Sequence, residues 1–256
     1  MIPEDVVDAL RLPADCAVNV RVPKTQLQAH TGFSAADRRL LQDGIDTLHW
    51  AAAIRPDAVG IPACTAPDGS RRIPELHVMT LQVRTGAKLT RLEELLHRAV
   101  PYPILLVSEQ PSGPRVSVAL KRMSYTRNGD VTLDTPPVTA SVGDAPVPAS
   151  DAFLSSLQLD RQPRNDLGTV YEGWLTCTVA LRVASVTGEF MLASTLDAAR
   201  DQLTGLTESS RLEVEISKLL TQIRKEKQIP SRIELQEQIK AKKTALSVAH
   251  DTLRST

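Results

Sequence analysis

The sequence predicts an α/β (α+β) fold in which a mixed β-sheet is built around a β-α-β core. Three observations lead to this prediction. Between residues 73 and 122 strand-like patterns flank a helical pattern, residues 135–150 are rich in proline, and leucine and isoleucine recur at heptad spacing after residue 207. We therefore expect an α/β domain over residues 1–134, a linker over 135–150, a mixed strand and helix region over 151–206, and an antiparallel coiled-coil hairpin over 207–256.

Residues 75–107 carry the pattern of the β-α-β core. Residues 104–107 are continuously apolar, which is typical of a strand buried on both faces. In residues 75–83 the alternation changes phase at Val78-Met79, so either both faces are covered or a bulge lies there. Between these strands Thr90-Arg-Leu-Glu93 matches a helix capping box, and apolar residues at helical spacing accompany it at Leu92, Leu95, Leu96 and Ala99. A strand, a helix and a strand in this order predict a parallel strand pair.

Further elements are expected on both sides of this core. Ser34 marks the start of a helix over residues 35–45. Asn128-Gly129 is a strong hairpin signal, with a return strand expected at residues 131–133. Alternating or apolar patterns predict additional strands at residues 17–22, 47–54 and 115–121.

The two segments that follow differ in composition from the first. Residues 135–150 contain four prolines, which predicts a linker with little regular structure. In residues 170–186 one apolar set recurs at helical spacing, whereas another alternates with threonine, alanine and arginine. Because threonine and valine favour strands, we predict a strand over residues 174–184 that could return to the sheet. A helix over residues 191–206 is expected to end near Gly205.

The C-terminal segment has the clearest periodicity. Two apolar seams on one heptad grid are separated by Pro230, and Ser231-Arg-Ile-Glu234 matches a second capping box. The simplest arrangement is an antiparallel hairpin, although the helices could instead pair with another chain. The grid also contains Lys242, Ala249 and Leu253, and its residues assigned here to partner binding are Leu212, Ile216, Leu219, Ile223, Leu235, Ile239 and Leu246.

Composition limits the classes of function. The 256 residues include 30 basic and 30 acidic residues and few aromatic ones, which is unusual for a dedicated nucleic-acid binder. The three cysteines are scattered, which argues against a disulfide framework or a cysteine-rich zinc site and fits a cytoplasmic location. The N-terminus does not resemble a secretory signal, and no apolar stretch is long enough for a transmembrane helix. We expect neither a cofactor nor a bound metal.

Only one catalytic arrangement can be assembled from the residues. Asp46 and Glu75 would be the carboxylates of a divergent metal-dependent nuclease, with His77 where such sites usually carry a lysine. The simpler interpretation is that Glu75 and His77 are polar positions of a strand. No phosphate-binding loop and no nucleophile elbow is found in the sequence.

Scattered basic residues provide a DNA-binding hypothesis. Lys24 follows a predicted strand end and could contact an anion, or more simply pair with Glu75. Basic pairs elsewhere could contact phosphates. The proposed nucleic-acid-binding set is Lys24, Arg71, Arg72, Lys121 and Arg122.

An ordered set of segments resembles the bacterial family called domain of unknown function DUF4391. The set consists of residues 20–24, 45–50, 74–81, 99–105 and 226–235. The family has no established activity to transfer, and at the position of His77 its pattern often has an acidic residue, which weakens the metal-site hypothesis. Members resemble one another in standing beside Swi/Snf-type helicases, DNA methyltransferases and restriction-like genes. The resemblance therefore implies an accessory role in an anti-phage defence or restriction-like locus.

Together these observations favour a non-catalytic accessory subunit over an enzyme. Its C-terminal helices would bind a second copy of the chain, or a helicase or methyltransferase of the same locus. The alternatives are the divergent nuclease and the DNA-binding module, and no membrane association is expected.

Overall fold

The computed structural model describes residues 1–28, 32–66, 68, 71–123 and 131–255. The strands of the described part are β1 Ala17–Arg21, β2 Ile45–Ile54, β3 Cys64–Thr65, β4 Arg72–Ile73, β5 Leu76–Val83, β6 Ile104–Ser108, β7 Arg115–Val118, β8 Lys121–Met123, β9 Val131–Leu133 and β10 Val138–Ser141. Its α-helices are α1 Pro3–Ala9, α2 Lys24–Gln28, α3 Ala35–Gly44, α4 Pro56–Val59, α5 Leu89–Ala99, α6 Val147–Ser156, α7 Leu167–Thr187, α8 Leu196–Lys225 and α9 Ile229–Ser255.

The main sheet is mixed, as predicted. In the described residues it has six strands in the order β1-β2-β5-β6-β7-β10. β5 and β6 are parallel and joined through α5, whereas the other neighbours are antiparallel, so the β-α-β core is confirmed. β8 and β9 form a separate antiparallel pair that matches the predicted return strand. The predicted turn at Asn128-Gly129 lies outside the described residues.

The phase change in β5 has both of the origins that we considered. Residues 76–81 are buried throughout, so both faces of this strand are covered. The pairing with β2 also shifts, because Trp50 lies opposite Met79 while Ala52 lies opposite Val78. The extra residue, Ala51, belongs to β2, and the irregularity is therefore in the partner strand.

Each face of the sheet carries its own apolar core. Leu105 and Val107 of β6 contribute to a cluster with α1, α6 and α7. Ile104 and Leu106 point the other way, into a cluster with α3 and α5. Because neighbouring residues of a strand point to opposite faces, this two-sided packing explains the continuous apolar run of β6.

Residues 174–184 lie in the middle of α7, so the prediction of a strand there is wrong. The helix begins with a capping box in which Asp166 accepts a hydrogen bond from the Thr169 N–H at 2.9 Å. Inside the helix, Thr176 and Thr178 each donate their hydroxyl to the carbonyl four residues earlier. Thirteen of its 21 residues are buried. Tertiary packing therefore outweighs the strand preference of its threonines and valines.

Residues 135–150 are not the unstructured linker that we predicted. Val138–Ser141 forms β10 and pairs with β7 along its whole length. Val138 and Ala140 are buried against the sheet's first core. The prolines flank this strand, and Pro148 stands in the first turn of α6, where the lack of an N–H is tolerated. β10, rather than residues 174–184, extends the sheet.

α8 and α9 form the predicted antiparallel hairpin. The direction follows from contacts across it, because Lys242 pairs with Glu215 and Leu253 lies over Gly205. We predicted that a helix would end near Gly205, but this glycine lies within α8. A Cβ at this glycine would meet the Leu253 Cδ2 at 3.0 Å, so the missing side chain lets the two helices approach closely.

The second helix of the hairpin begins earlier than predicted. α9 starts at Ile229 with Pro230 as its second residue, so Ser231 is inside the helix and the capping box at 231–234 is wrong.

In the part of the chain that the structure describes, no helix has both the length and the apolar character needed to cross a membrane.

Two large side chains fasten α7 to its surroundings. The hydroxyl of Tyr171 accepts a hydrogen bond from the Ala119 N–H at 2.9 Å and lies 2.9 Å from the carbonyl oxygen of Ile104. The indole Nε1 of Trp174 donates to the carbonyl of Leu157 at 3.0 Å. Both side chains are fully buried. They therefore satisfy backbone groups that would otherwise be buried without a partner.

Replacing Tyr171 by phenylalanine should lower the free energy of unfolding by about 1–3 kcal/mol, because the Ala119 N–H is left without a partner. Urea denaturation followed by circular dichroism measures the change. Tyr102→Phe is the matched control, since that half-buried hydroxyl makes no hydrogen bond to the described residues, and it should shift stability by about 0.5 kcal/mol or less. Equal losses in the two variants would contradict the role given to Tyr171.

Candidate functional site

The two carboxylates of the nuclease hypothesis are far apart. Asp46 follows Ile45, which pairs with Val83 at one end of the β2–β5 ladder. Glu75 precedes Leu76, which pairs with Ile54 at the other end. The two ends are seven residue steps apart along β5, or about 23 Å. One metal ion cannot bind both carboxylates, so this arrangement is wrong as a catalytic site.

Glu75 is instead part of a chain of polar contacts at the end of β5. Its carboxylate lies 3.0 Å from Nε of Arg55 and 3.2 Å from Nε2 of His77. The imidazole lies between the rings of Trp50 and Tyr102, with centroid distances of 4.5 and 4.7 Å. Burial lowers the pKa of His77, and the neighbouring Glu75 opposes this shift. Among the residues placed by the structure, no group of three histidine, cysteine or acidic residues suits a metal ion.

A second polar group lies beneath helix α5. Glu93, predicted as part of a capping box, instead faces the sheet with no exposed surface, and that capping box is wrong. Its carboxylate accepts a hydrogen bond from the Ser108 hydroxyl at 3.0 Å and lies 3.2 Å from Nε of Arg115. Burial raises the pKa of Glu93 to about 7, although Arg115 and Ser108 both act to lower it. α5 begins at Leu89 and takes no side-chain cap.

Two further titratable residues are buried on the same face. His97 Nε2 lies 2.8 Å from the Ser117 hydroxyl oxygen, and burial holds the pKa of this histidine well below its usual range. Lys121 donates to the carbonyls of Val100 and Tyr102, and burial lowers its pKa to about 7. These contacts tie α5 and the following turn to the sheet. Because the side chains are almost completely buried, a substrate could reach them only if α5 moved away.

The residues of the DNA-binding hypothesis do not form one surface. Lys121 is buried, and Lys24 donates to the carbonyls of Gln42 and Ile45 at the C-terminal end of α3, where a cation is favoured. Lys24 therefore does not pair with Glu75. Arg71 is ion-paired with Glu172 at 2.5 Å, and Arg122, which is exposed, with Asp134 at 3.3 Å. Arg72 is also exposed.

The residues assigned to partner binding lie in the seam of the hairpin. On α8 the seam positions Leu212 and Ile216 are buried, and on α9 so is Ile239. The remaining seam positions are half-buried, whereas most residues between them are exposed. The predicted heptad grid is thus confirmed, and its apolar face is covered by the other helix of the same chain. The half-buried set is Leu219, Ile223, Leu235, Lys242, Leu246 and Ala249.

Most of the hairpin extends beyond the core of the sheet. The core clusters of the described residues include Leu206 of α8 and resume only at Leu253 of α9. We call residues 207–252 the arm. Its first helix, up to Lys225, is roughly 28 Å long at 1.5 Å per residue. The arm is therefore held mainly by contacts between its own two helices.

The end of the arm exposes apolar side chains that the seam does not use. We call residues 218–243 the arm tip. Ile229 is 71 % exposed and Ile233 is 52 % exposed, one helical turn apart on α9. Leu220 is 39 % exposed on α8. These residues are missing from the sequence-based site because only the heptad positions were considered, although their positions outside the grid were already a signal.

The arm tip is also basic. Residues 218–243 contain eight lysines and arginines but three glutamates, in a chain whose total charge is zero. Nearer the body, Arg211 pairs with Glu208 and Glu215, and Lys242 reaches across the hairpin to Glu215. Positive charge is therefore concentrated at the end that lies farthest from the sheet.

These features define a class of protein: a mixed-sheet α+β body from which a C-terminal helical hairpin extends as an arm. The chain belongs to the family described as domain of unknown function DUF4391, whose model matches residues 10–246. The match includes the sheet and most of the arm, and it confirms the resemblance predicted from the sequence. Neither a curated protein nor a solved structure matches the chain.

The buried carboxyl of Glu93 should make stability depend on pH. Since its folded-state pKa is raised to about 7 from an ordinary value of 4.5, its stabilising effect is complete below pH 4.5 and is lost as the pH rises through 7. We expect the difference in unfolding free energy between the native chain and Glu93→Gln to fall by about 1–3 kcal/mol from pH 5 to 7.5. Urea titrations at both pH values measure it.

All other titrating groups are shared by the two proteins and cancel in that difference. A difference that stays constant, or rises with pH, would contradict a raised pKa for Glu93.

Proposed function

We propose that the protein is a non-catalytic interaction subunit whose arm tip binds a protein partner. The observation that carries this proposal is the exposure of Ile229 and Ile233 at the end of an arm whose own seam is already closed. The two helices of the hairpin pack through the seam positions, and Ile229 and Ile233 are not among them. When a partner covers apolar residues grouped at such a site, their burial lowers the free energy of the complex and favours binding.

The interior of the sheet supports the non-catalytic part of the proposal. Glu93, His97 and Lys121 have the titratable groups that catalysis would need, but they are used in contacts that fix α5 and the turn after it. The carboxylates of the nuclease hypothesis lie at opposite ends of a ladder. The described residues thus offer a scaffold for the arm.

The partner we propose is a helicase or DNA methyltransferase of an anti-phage defence or restriction-like locus. This choice follows from the resemblance to the family, because genes of its members stand beside such genes. The excess of lysine and arginine at the arm tip adds a physical requirement, because the surface that receives it should be acidic. Self-association through the same tip is the competing outcome.

Shortening the arm tests the proposal without disturbing the body. A cut after Gly205 would remove Leu206 and Leu253, which belong to the core. Residues 216–241 can instead be replaced by a short glycine and serine turn, because Glu215 and Lys242 on either side already form an ion pair across the hairpin. The shortened chain should keep its fold and fail to co-purify with the products of the neighbouring genes.

Point changes at the tip should act in the same way. Ile229→Glu together with Ile233→Glu removes the exposed apolar pair, and we expect at least a tenfold loss of affinity for the partner, about 1.4 kcal/mol or more. Val248→Glu is the matched control, since Val248 is 60 % exposed on the same helix but outside the arm tip. Co-expression followed by affinity purification and calorimetry measures the effect.

The control variant should bind as the native chain does. Undiminished binding by the shortened chain or by the double variant would overturn the assignment of the arm tip. If the native chain is a dimer in light scattering and the double variant is a monomer that still binds the partner, the tip would be assigned to self-association instead.

DNA is a second candidate ligand for the arm tip because of its charge. Lys240 and Lys243 lie one turn apart on α9, beside a shallow depression lined also by Gln236, Thr244 and Ser247. If they contact phosphates, affinity for duplex DNA should fall steeply with salt. Changing both to glutamine should reduce the slope of log K against log salt by about 2, as fluorescence anisotropy would show. An unchanged slope would rule out these contacts.

A further inference from the structure

A cavity of about 410 Å³ lies where the base of the hairpin meets the body. Its walls come from α7, α8 and the segment that leads into β10. Most of the lining is apolar, and the apolar residues are Leu120, Pro136, Pro137, Val138, Leu175 and Leu203. The volume falls within the range of pockets that hold small organic ligands.

Arg182 enters this cavity from an apolar helix. It lies on α7 between Leu181 and Val183, both of which are buried, and is itself half-buried. Burial lowers the pKa of Arg182, and the charge of Arg115 lowers it further. Among the described residues, no carboxylate forms an ion pair with the guanidinium and no acceptor forms a hydrogen bond with it. No Arg182 nitrogen is among the buried polar atoms that lack a partner, so the guanidinium still reaches solvent and its charge is open to a ligand.

Other half-buried arginines of the described residues each have a carboxylate partner. Arg71 is paired with Glu172, Arg91 with Asp37 and Arg115 with Glu93. The fold therefore provides carboxylates where it takes an arginine out of water for structural reasons. Arg182 departs from this pattern, and its side chain lines the cavity.

The remaining polar groups of the cavity leave its character cationic. Arg200 on α8 forms a second positive wall and shares its charge with the exposed Asp197. Asp134 is the acidic residue of the lining, and Arg122 already pairs with it at 3.3 Å. Thr204 and Thr207 donate their hydroxyls to carbonyls of their own helix.

We propose that this cavity binds a small amphipathic organic anion, with its anionic head on Arg182 and its apolar body against the proline and leucine wall. Arg200 lines the same cavity from α8 and is a second cation available to the head. A carboxylate and a phosphate monoester share the required chemistry, because a guanidinium can donate two hydrogen bonds to either. This site is independent of the arm tip and of any partner bound there.

Decanoate, decyl phosphate and decanol are suitable probes, because they share an apolar chain and differ in the head group. In calorimetry with the full chain, at least one of the two anions should bind with one-to-one stoichiometry. Decanol should bind at least about tenfold more weakly, since it lacks the charge that Arg182 recognises. Whichever anion binds more tightly identifies the head group.

Two variants locate the site. Arg182→Met keeps an unbranched side chain, removes the charge and should weaken anion binding at least about tenfold. Thr204→Trp fills the cavity from an exposed position on α8 and should weaken binding of the same anion. Arg72→Met removes an exposed arginine that does not line the cavity, so this variant should leave binding unchanged.

Several results would overturn the proposal. They are the absence of binding by both anions, equal binding of decanol and the anions, and undiminished anion binding by a folded Arg182→Met. Because Thr204→Trp tests the cavity without changing Arg182, a failure of Arg182→Met to fold does not leave the site untested.

Discussion

The parallel pair β5 and β6 must be covered on both faces, and this constraint organises the rest of the chain. α5 covers one face as part of the crossover that joins the two strands. The other face is covered largely by α7, which comes about sixty residues later in the chain. The buried hydroxyl of Tyr171 and the indole of Trp174 fix the position of this helix through hydrogen bonds to backbone groups of the neighbouring elements. α7 in turn provides the surface on which the base of the hairpin packs.

Much of the fold could be predicted because it depends on local periodicity. Residues 104–107 show that β6 is buried on both faces, and the heptad grid identifies the hairpin and its seam. Both patterns arise from contacts that repeat along a single element. α7 could not be assigned in this way, since a helix surrounded by apolar layers is apolar all round and shows no amphipathic pattern. The Asp166-to-Thr169 capping box was the local signal that distinguishes it from a strand.

The site was less predictable because it depends on pairs of residues distant in sequence. Lys24 and Lys121 have the sequence signature of surface cations, yet each is used to satisfy backbone carbonyls. Glu93 has the spacing of a cap and the environment of a core residue. Conversely, Arg182 visibly interrupts an apolar stretch, but only the structure shows that no carboxylate of the described residues forms an ion pair with it. Periodicity predicts which face of a helix or strand a residue lies on. The residue it contacts depends on how separate elements pack together.

The antiparallel course of the hairpin has a consequence for how the molecule can vary. Both ends of the arm return to the same region of the body, near Leu206 and Leu253. Insertion of one heptad in each helix would therefore leave the body and the seam in phase while moving the tip outward by roughly 10 Å. The distance over which such a protein reaches a neighbour is in effect a separate variable, which selection can adjust without rebuilding the sheet.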